Sequence, residues 1–159
     1  MKFNRRNFFV KMIQGAAVLS VPAALSTFLE SCMKSSNPLD SGNTSSLTQI
    51  QGSISGNTVI VTVDSSSPLS KTGSAAAINY TNGQLLVDHP SGNQFTALSS
   101  ICTHAGCTVS GFDSGSNQFV CPCHGSRYDL SGNVVQGPAS QALPQYQTSF
   151  ANNVLTIKI

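Results

Sequence analysis

The sequence predicts an all-β protein, an antiparallel sandwich or small barrels, and three observations point there. From about residue 50 onward, short runs rich in Val, Ile, Thr and aromatics alternate with Gly- and Asn-containing dipeptides, the pattern of strands joined by tight turns. No stretch after residue 32 holds a 3.6-residue period long enough to specify a helix. Charged residues make up only 9% of the 159-residue chain, too few to solvate a long exposed helix or coiled coil.

The candidate strands, in chain order, are 58–63, 75–80, 84–88, 94–99, 107–112, 117–121, 127–129, 133–136, 146–150 and 153–159. Between them fall Asn82-Gly83, Ser91-Gly92-Asn93, Ser114-Gly115-Ser116-Asn117, Ser131-Gly132-Asn133 and Asn152-Asn153. These residues tolerate the positive φ of short hairpin turns. No internal repeat is visible. His89, in Asp88-His89-Pro90, reads as a surface residue at a turn and takes no functional role.

The first thirty residues read as an address. Lys2, Arg5, Arg6 and Lys11 supply half of the eight basic residues, and residues 12–29 carry no charge. Such a helix would span roughly 27 Å, the short limit for crossing a bilayer, and Gln14, Gly15 and Pro22 dilute its apolar character. A basic start followed by a mildly apolar run suits an export signal better than a permanent anchor. Asn4-Arg5-Arg6-Asn7-Phe8-Phe9 resembles a twin-arginine signal, whose pathway exports folded proteins and so suits a cofactor inserted before export. Leu29-Glu30-Ser31-Cys32 resembles a lipobox, with Cys32 as the acylated residue. An uncleaved N-terminal helix and release as a free protein are the rival readings. The expected location is the extracytoplasmic side of a bacterial membrane. The chain then divides into a signal peptide over 1–31, a flexible Ser/Asn/Gly-rich tether over 32–49 and a folded body over 50–159.

From Cys32 onward four basic residues face five aspartates, which is no electrostatic footprint for a nucleic acid. The informative residues are the cysteines and histidines of two boxes, Cys102-Thr103-His104-Ala105-Gly106-Cys107 and Cys121-Pro122-Cys123-His124-Gly125-Ser126. Four cysteines in an exported β-protein could form two structural disulfides, with three possible connectivities. That reading leaves the two histidines and the flanking glycines unexplained. A zinc site of two Cys and two His is chemically sensible, but it leaves Cys107 and Cys123 without a role.

C-x-H followed by C-x-x-H resembles the Rieske [2Fe–2S] iron–sulfur proteins, strongly over residues 98–139 and generically elsewhere. The resemblance implies a Rieske-type antiparallel β fold with a cluster-binding loop subdomain, and one [2Fe–2S] cluster. Cys102 and Cys121 would hold one iron, and His104 and His124 the other, each through one ring nitrogen. Cys107 and Cys123 match the extra pair of the high-potential branch, where they form a disulfide joining the two loops. Ser126 and Tyr128 fall where that branch places hydroxyls that donate to cluster and ligand sulfurs, raising the potential. Gly106, Gly125 and Gly111 would let backbone amides approach the sulfurs without a Cβ in the way. Gly137-Pro138-Ala139 is similar to the loop that covers the cluster, with Ser140 in place of a second proline.

The implied activity is one-electron transfer, with no catalysis by the chain alone. An oxidised core of two ferric ions, two sulfides and two thiolates is neutral. Reduction makes it negative, so the imidazole ligands hold their outer protons more tightly and electron uptake becomes linked to proton uptake. A quinol suits such a site as donor. Three roles follow. The first is the iron–sulfur subunit of a quinol–cytochrome c-type complex, with cytochrome b- or c-type partners. The second is the small subunit of another exported oxidoreductase, such as an arsenite-oxidase-like molybdenum enzyme. The third is a stand-alone membrane-anchored carrier lipoprotein. Ala105 stands where the Rieske subunits of quinol–cytochrome c complexes commonly have Leu, which weakens the first.

Overall fold

A computed structural model describes residues 43–159. The twin-arginine-like segment, the apolar run 12–29 and Cys32 lie outside the described residues. Thirteen strands follow one another in the described part: Thr44–Ser46 (β1), Thr48–Gln51 (β2), Ser53–Ser55 (β3), Thr58–Thr62 (β4), Ser74–Tyr80 (β5), Gly83–Ser91 (β6), Gln94–Ser99 (β7), Gly111–Asp113 (β8), Gln118–Val120 (β9), Arg127–Tyr128 (β10), Val134–Gln136 (β11), Gln145–Ala151 (β12) and Val154–Lys158 (β13). The only helical element among the described residues is a 3-10 turn at Pro68–Ser70. The all-β expectation holds.

The strands form two sheets. Eight run in the order β2-β5-β6-β7-β12-β13-β4-β3 and nearly close into a barrel. Five form a smaller sheet in the order β1-β8-β9-β10-β11. Pairing is antiparallel except between β2 and β5. The segment from Ser100 to Pro144 is inserted between β7 and β12, which pair directly in the large sheet (Gln145 with Leu98, Tyr146 with Ala97). Ser99 N–H donates to Pro144 O at 2.8 Å, so the insertion leaves and re-enters the barrel at one point.

The apolar runs of the central strands follow from burial on both faces. Val59, Val61, Ala76, Ile78, Leu85, Val87, Ala97, Leu155 and Ile157 meet in one core. The residues between them on β5, β6 and β7 (Ala77, Leu86 and Leu98) point the other way, into a second core with Phe112, Phe119, Tyr128 and Leu143. The small sheet is thus seated on the outer face of β5-β6-β7.

Three expectations need correction. Residues 44–46 and 48–49, read as tether, are already in strands: β1 lies along β8 with Ser45 opposite Phe112, and Leu47 between the two is 4% exposed in the second core. The polarity that suggested a tether belongs to side chains at a sheet edge. What orders this segment is its backbone ladder, the bond from Leu47 N–H to Ser110 O at 2.9 Å, and one buried leucine, none of which composition registers. The run 107–112 is strand only from Gly111; before it a single bridge joins Ile101 to Thr108, because the loop that carries the first Cys/His box occupies the chain up to Cys107. His89 is not at the surface. It is 7% exposed, stacked on Phe95 with ring centroids 4.3 Å apart, and its ring nitrogens face the carbonyls of Leu69 and Gly92. Strand β6 continues past it, with an irregular register between Asp88 and Ser91 where Pro90 has no N–H to offer the ladder.

Candidate metal centre

The insertion carries the two boxes as two loops of the same construction. In the first, Gly106 N–H donates to Cys102 O (2.9 Å) and Cys102 N–H to Cys107 O (2.8 Å). In the second, Gly125 N–H donates to Cys121 O (3.0 Å) and Cys121 N–H to Ser126 O (2.9 Å). Gly106 and Gly125 sit at φ +75° and +76°, a conformation that L side chains rarely adopt. The expected reason for these glycines was space near sulfur. Backbone conformation is a second reason, and it requires glycine at both positions. Gly111 serves the sheet instead: a Cβ there would press on Thr44 and Val120 at 3.2 Å.

A disulfide between Cys107 and Cys123 ties the two loops together. Cys102 and Cys121 are free and buried, so the two-disulfide reading is overturned. Each thiol is close enough to influence the other's ionisation. His104 and His124 are exposed, with ring centroids 4.7 Å apart and planes nearly perpendicular. Among the described residues no three Cys, His, Asp or Glu side chains converge on one ion's position. The four form a buried sulfur pair and an exposed imidazole pair. That division suits a two-iron core with thiolates on one iron and imidazoles on the other, and does not suit one tetrahedral zinc.

The surroundings favour a thiolate at Cys102. Burial opposes its ionisation, but Tyr128, the His104 amide, Cys121 and Ser126 donate towards the sulfur and hold its pKa below the usual thiol value. Burial pushes the Cys121 thiol up, against the amides of Cys123 and His124, and the neighbouring Cys102 adds to the rise. Binding a cation at the pair would deprotonate both. Tyr128 and Ser126 are fully buried. The Tyr128 hydroxyl lies 3.3 Å from Cys102 Sγ, and burial together with that contact pushes the phenol's pKa up. The Ser126 hydroxyl also accepts from Ala139 N–H at 3.0 Å, which fastens the Gly137-Pro138-Ala139 segment over the second loop.

Two parts of the centre were missed from sequence. Arg127 pairs with Asp113 at 2.8 Å across β8, β9 and β10, and the guanidinium holds the Asp113 carboxyl below the usual range. Thr103 lies between two expected ligands and looked like loop filler. Its amide donates to Tyr128 Oη at 3.2 Å, its hydroxyl is 3.0 Å from the same oxygen, and that hydroxyl donates to Gln141 O at 2.6 Å. No local pattern announces contacts to residues 25 and 38 positions away.

The chain belongs to the Rieske [2Fe-2S] domain family, which matches residues 59–147, and its cofactor is one [2Fe–2S] cluster. The cytochrome b6-f complex iron-sulfur subunit of Prochlorococcus marinus (strain MIT 9215) is 43% identical over 74 residues, 46% of this chain and 41% of that one. The same subunit from Parasynechococcus marenigrum (strain WH8102) is 45% identical over 69 residues, 43% and 38% of the two chains. The chain thus spans about two-fifths of the length of these curated relatives. The plasma membrane Rieske protein PetC3 of Synechocystis PCC 6803 shares 36% identity with a TM-score of 0.51, covering 62% of this chain and 99% of that one.

Proposed function

We propose that this protein passes single electrons through its [2Fe–2S] cluster as the iron–sulfur subunit of a quinol–cytochrome c-type complex outside the cytoplasm. Cys102 and Cys121 would hold one iron and His104 and His124 the other. The observation that carries the reading is the division of these side chains into a buried sulfur pair and an exposed imidazole pair on two loops joined by a disulfide.

When bound, the cluster supplies the one-electron storage. The chain's residues do the rest. Burial keeps water from the sulfurs, and the Tyr128 and Ser126 hydroxyls with the loop amides stabilise sulfur that becomes electron-rich on reduction. The imidazoles, exposed at the loop tips, are where a donor or acceptor can come close, and each has a ring nitrogen left for a partner's hydrogen bond. The similarity to cytochrome b6-f subunits supports a cytochrome-containing partner. The twin-arginine-like start and the Cys32 lipobox support export and a membrane anchor, whether a lipid or an N-terminal helix.

A second reading rests on Ala105, which is exposed beside His104 and offers only a methyl where a larger apolar contact would grip a quinol-site partner. It favours a stand-alone carrier or the small subunit of another exported oxidoreductase, a molybdenum enzyme included.

Purified holoprotein should contain two irons and two acid-labile sulfides per chain, and stoichiometric zinc without sulfide would end the cluster assignment. His104→Cys or His124→Cys should lower the midpoint potential, because an added thiolate charge opposes reduction; an unchanged potential would remove that histidine from the ligands. Membranes solubilised from the source cells decide the role. Tagged protein should co-purify with b-type haem and be reduced by added quinol, whereas purification without haem favours the second reading.

A further inference from the structure

We propose that Thr103 tunes the reduction potential by competing with Cys102 for the single proton of the Tyr128 hydroxyl. The inference rests on the proposed ligand set and on Tyr128 as a donor to Cys102.

The argument is a count of protons and lone pairs. A carbonyl oxygen can only accept, so the 2.6 Å contact between Thr103 Oγ1 and Gln141 O commits the threonine's own proton to that carbonyl. Thr103 Oγ1 is then left with lone pairs alone, and towards Tyr128 Oη, 3.0 Å away, it can act only as acceptor. The phenol oxygen already accepts from Thr103 N–H at 3.2 Å, which polarises its O–H and makes it a better donor. That one O–H has two acceptors in reach, Thr103 Oγ1 at 3.0 Å and Cys102 Sγ at 3.3 Å. When the site is oxidised the sulfur is the poorer acceptor and the threonine takes the larger share. When the site is reduced the sulfur gains electron density and draws the proton back. Each redox state therefore has a partner for the proton, and the threonine alternative stabilises the oxidised state relative to a site in which sulfur is the sole acceptor. Thr103 is a positioning residue: it acts through Tyr128 and ties the tuning to the covering segment, because Gln141 lies two residues beyond Ala139.

The test measures midpoint potentials of cluster-loaded full-length protein in a double-mutant cycle. Thr103→Val removes the competing acceptor and should raise the potential, favouring the reduced form roughly threefold, about 30 mV at 59 mV per tenfold. Thr103→Ala should do the same, and Thr103→Ser, which keeps the hydroxyl, should hold the wild-type value. In a Tyr128→Phe background Thr103→Val should leave the potential unchanged. If Tyr128→Phe alone does not lower the potential, the donor assignment fails and this proposal fails with it. If Tyr128→Phe lowers it while Thr103→Val does not raise it, or if the threonine effect persists without the phenol, only the competition is overturned. Failure of both Thr103→Val and Thr103→Ala to load a cluster, with Thr103→Ser loading normally, would make the hydroxyl structural and also overturn it.

Discussion

At the scale of single residues, Asp88 carries the plainest electrostatic conflict in the fold. It lies on β6 opposite Ala75 and Thr96, is 2% exposed, and neither carboxylate oxygen has a hydrogen-bond partner. Burial pushes its pKa up to about 7, from about 3.9 in an unfolded chain. It outweighs the weaker opposing pulls of the Thr96 hydroxyl, which lies beyond hydrogen-bonding distance, and of His89. Below pH 4 both states hold the proton. Between pH 4 and 7 the unfolded chain releases it freely while the folded chain keeps it, so stability falls as pH rises through this window and levels off above it. Asp88→Asn copies the shape of the protonated acid and has no charge to bury. In urea titrations it should match the wild type near pH 4 and exceed it at pH 8, by an amount on the order of one to a few kcal/mol. A gap that does not widen with pH would mean that the carboxylate finds a counter-charge or solvent.

At the scale of elements, the two Cys/His loops hold their shape by local bonds, and something else must hold them to each other. Each closes on itself through two backbone hydrogen bonds and a glycine at positive φ. What spans between them is the Cys107–Cys123 disulfide, whose partners are 16 residues apart. By chain entropy such a closure contributes about 3 kcal/mol. Replacing both cysteines with serine should lower the temperature at which visible cluster absorbance disappears and shift the potential, while the far-UV signal of the barrel persists to higher temperature. Unchanged cluster loss on heating would show that the small sheet and the Arg127–Asp113 pair hold the loops without help.

At the scale of the molecule, the metal centre is an insertion seated on a barrel. Its sheet takes its edge strand β1 from the segment that precedes the barrel, so chain from both sides of β2–β7 meets under the cluster loops. Leu47 joins these parts, with its side chain in the core shared by barrel and small sheet and its N–H on Ser110 O. Leu47→Ala should destabilise the folded protein by about 2–4 kcal/mol, as large-to-small changes in a core do, measured as a loss in urea midpoint at constant slope. A silent substitution would return the segment to the status of a tether.

The sequence by itself determined whatever is decided within a few residues. It set the strand-and-turn rhythm of β4–β7 and β12–β13, whose side-chain alternation is local, and the residues of the two loops, whose closing bonds span four or five positions. Asn152 and Asn153 adopt the positive φ expected of them, 51° and 60°, whereas the β5–β6 turn falls on Thr81 and Asn82, with Gly83 already in β6 opposite Tyr80 and at no positive φ. Contacts between distant segments were another matter. The identity of β1 and β2 as strands, the burial of His89 against Phe95 and Leu69, and the Thr103–Tyr128–Gln141 linkage each depend on which surfaces meet once the small sheet packs on β5-β6-β7. A threonine next to a ligand or a serine-rich strand at an edge has the same local pattern whether or not it acquires such a partner. Only tertiary packing supplies the buried acceptor, the stacked ring or the ladder that gives the residue its role.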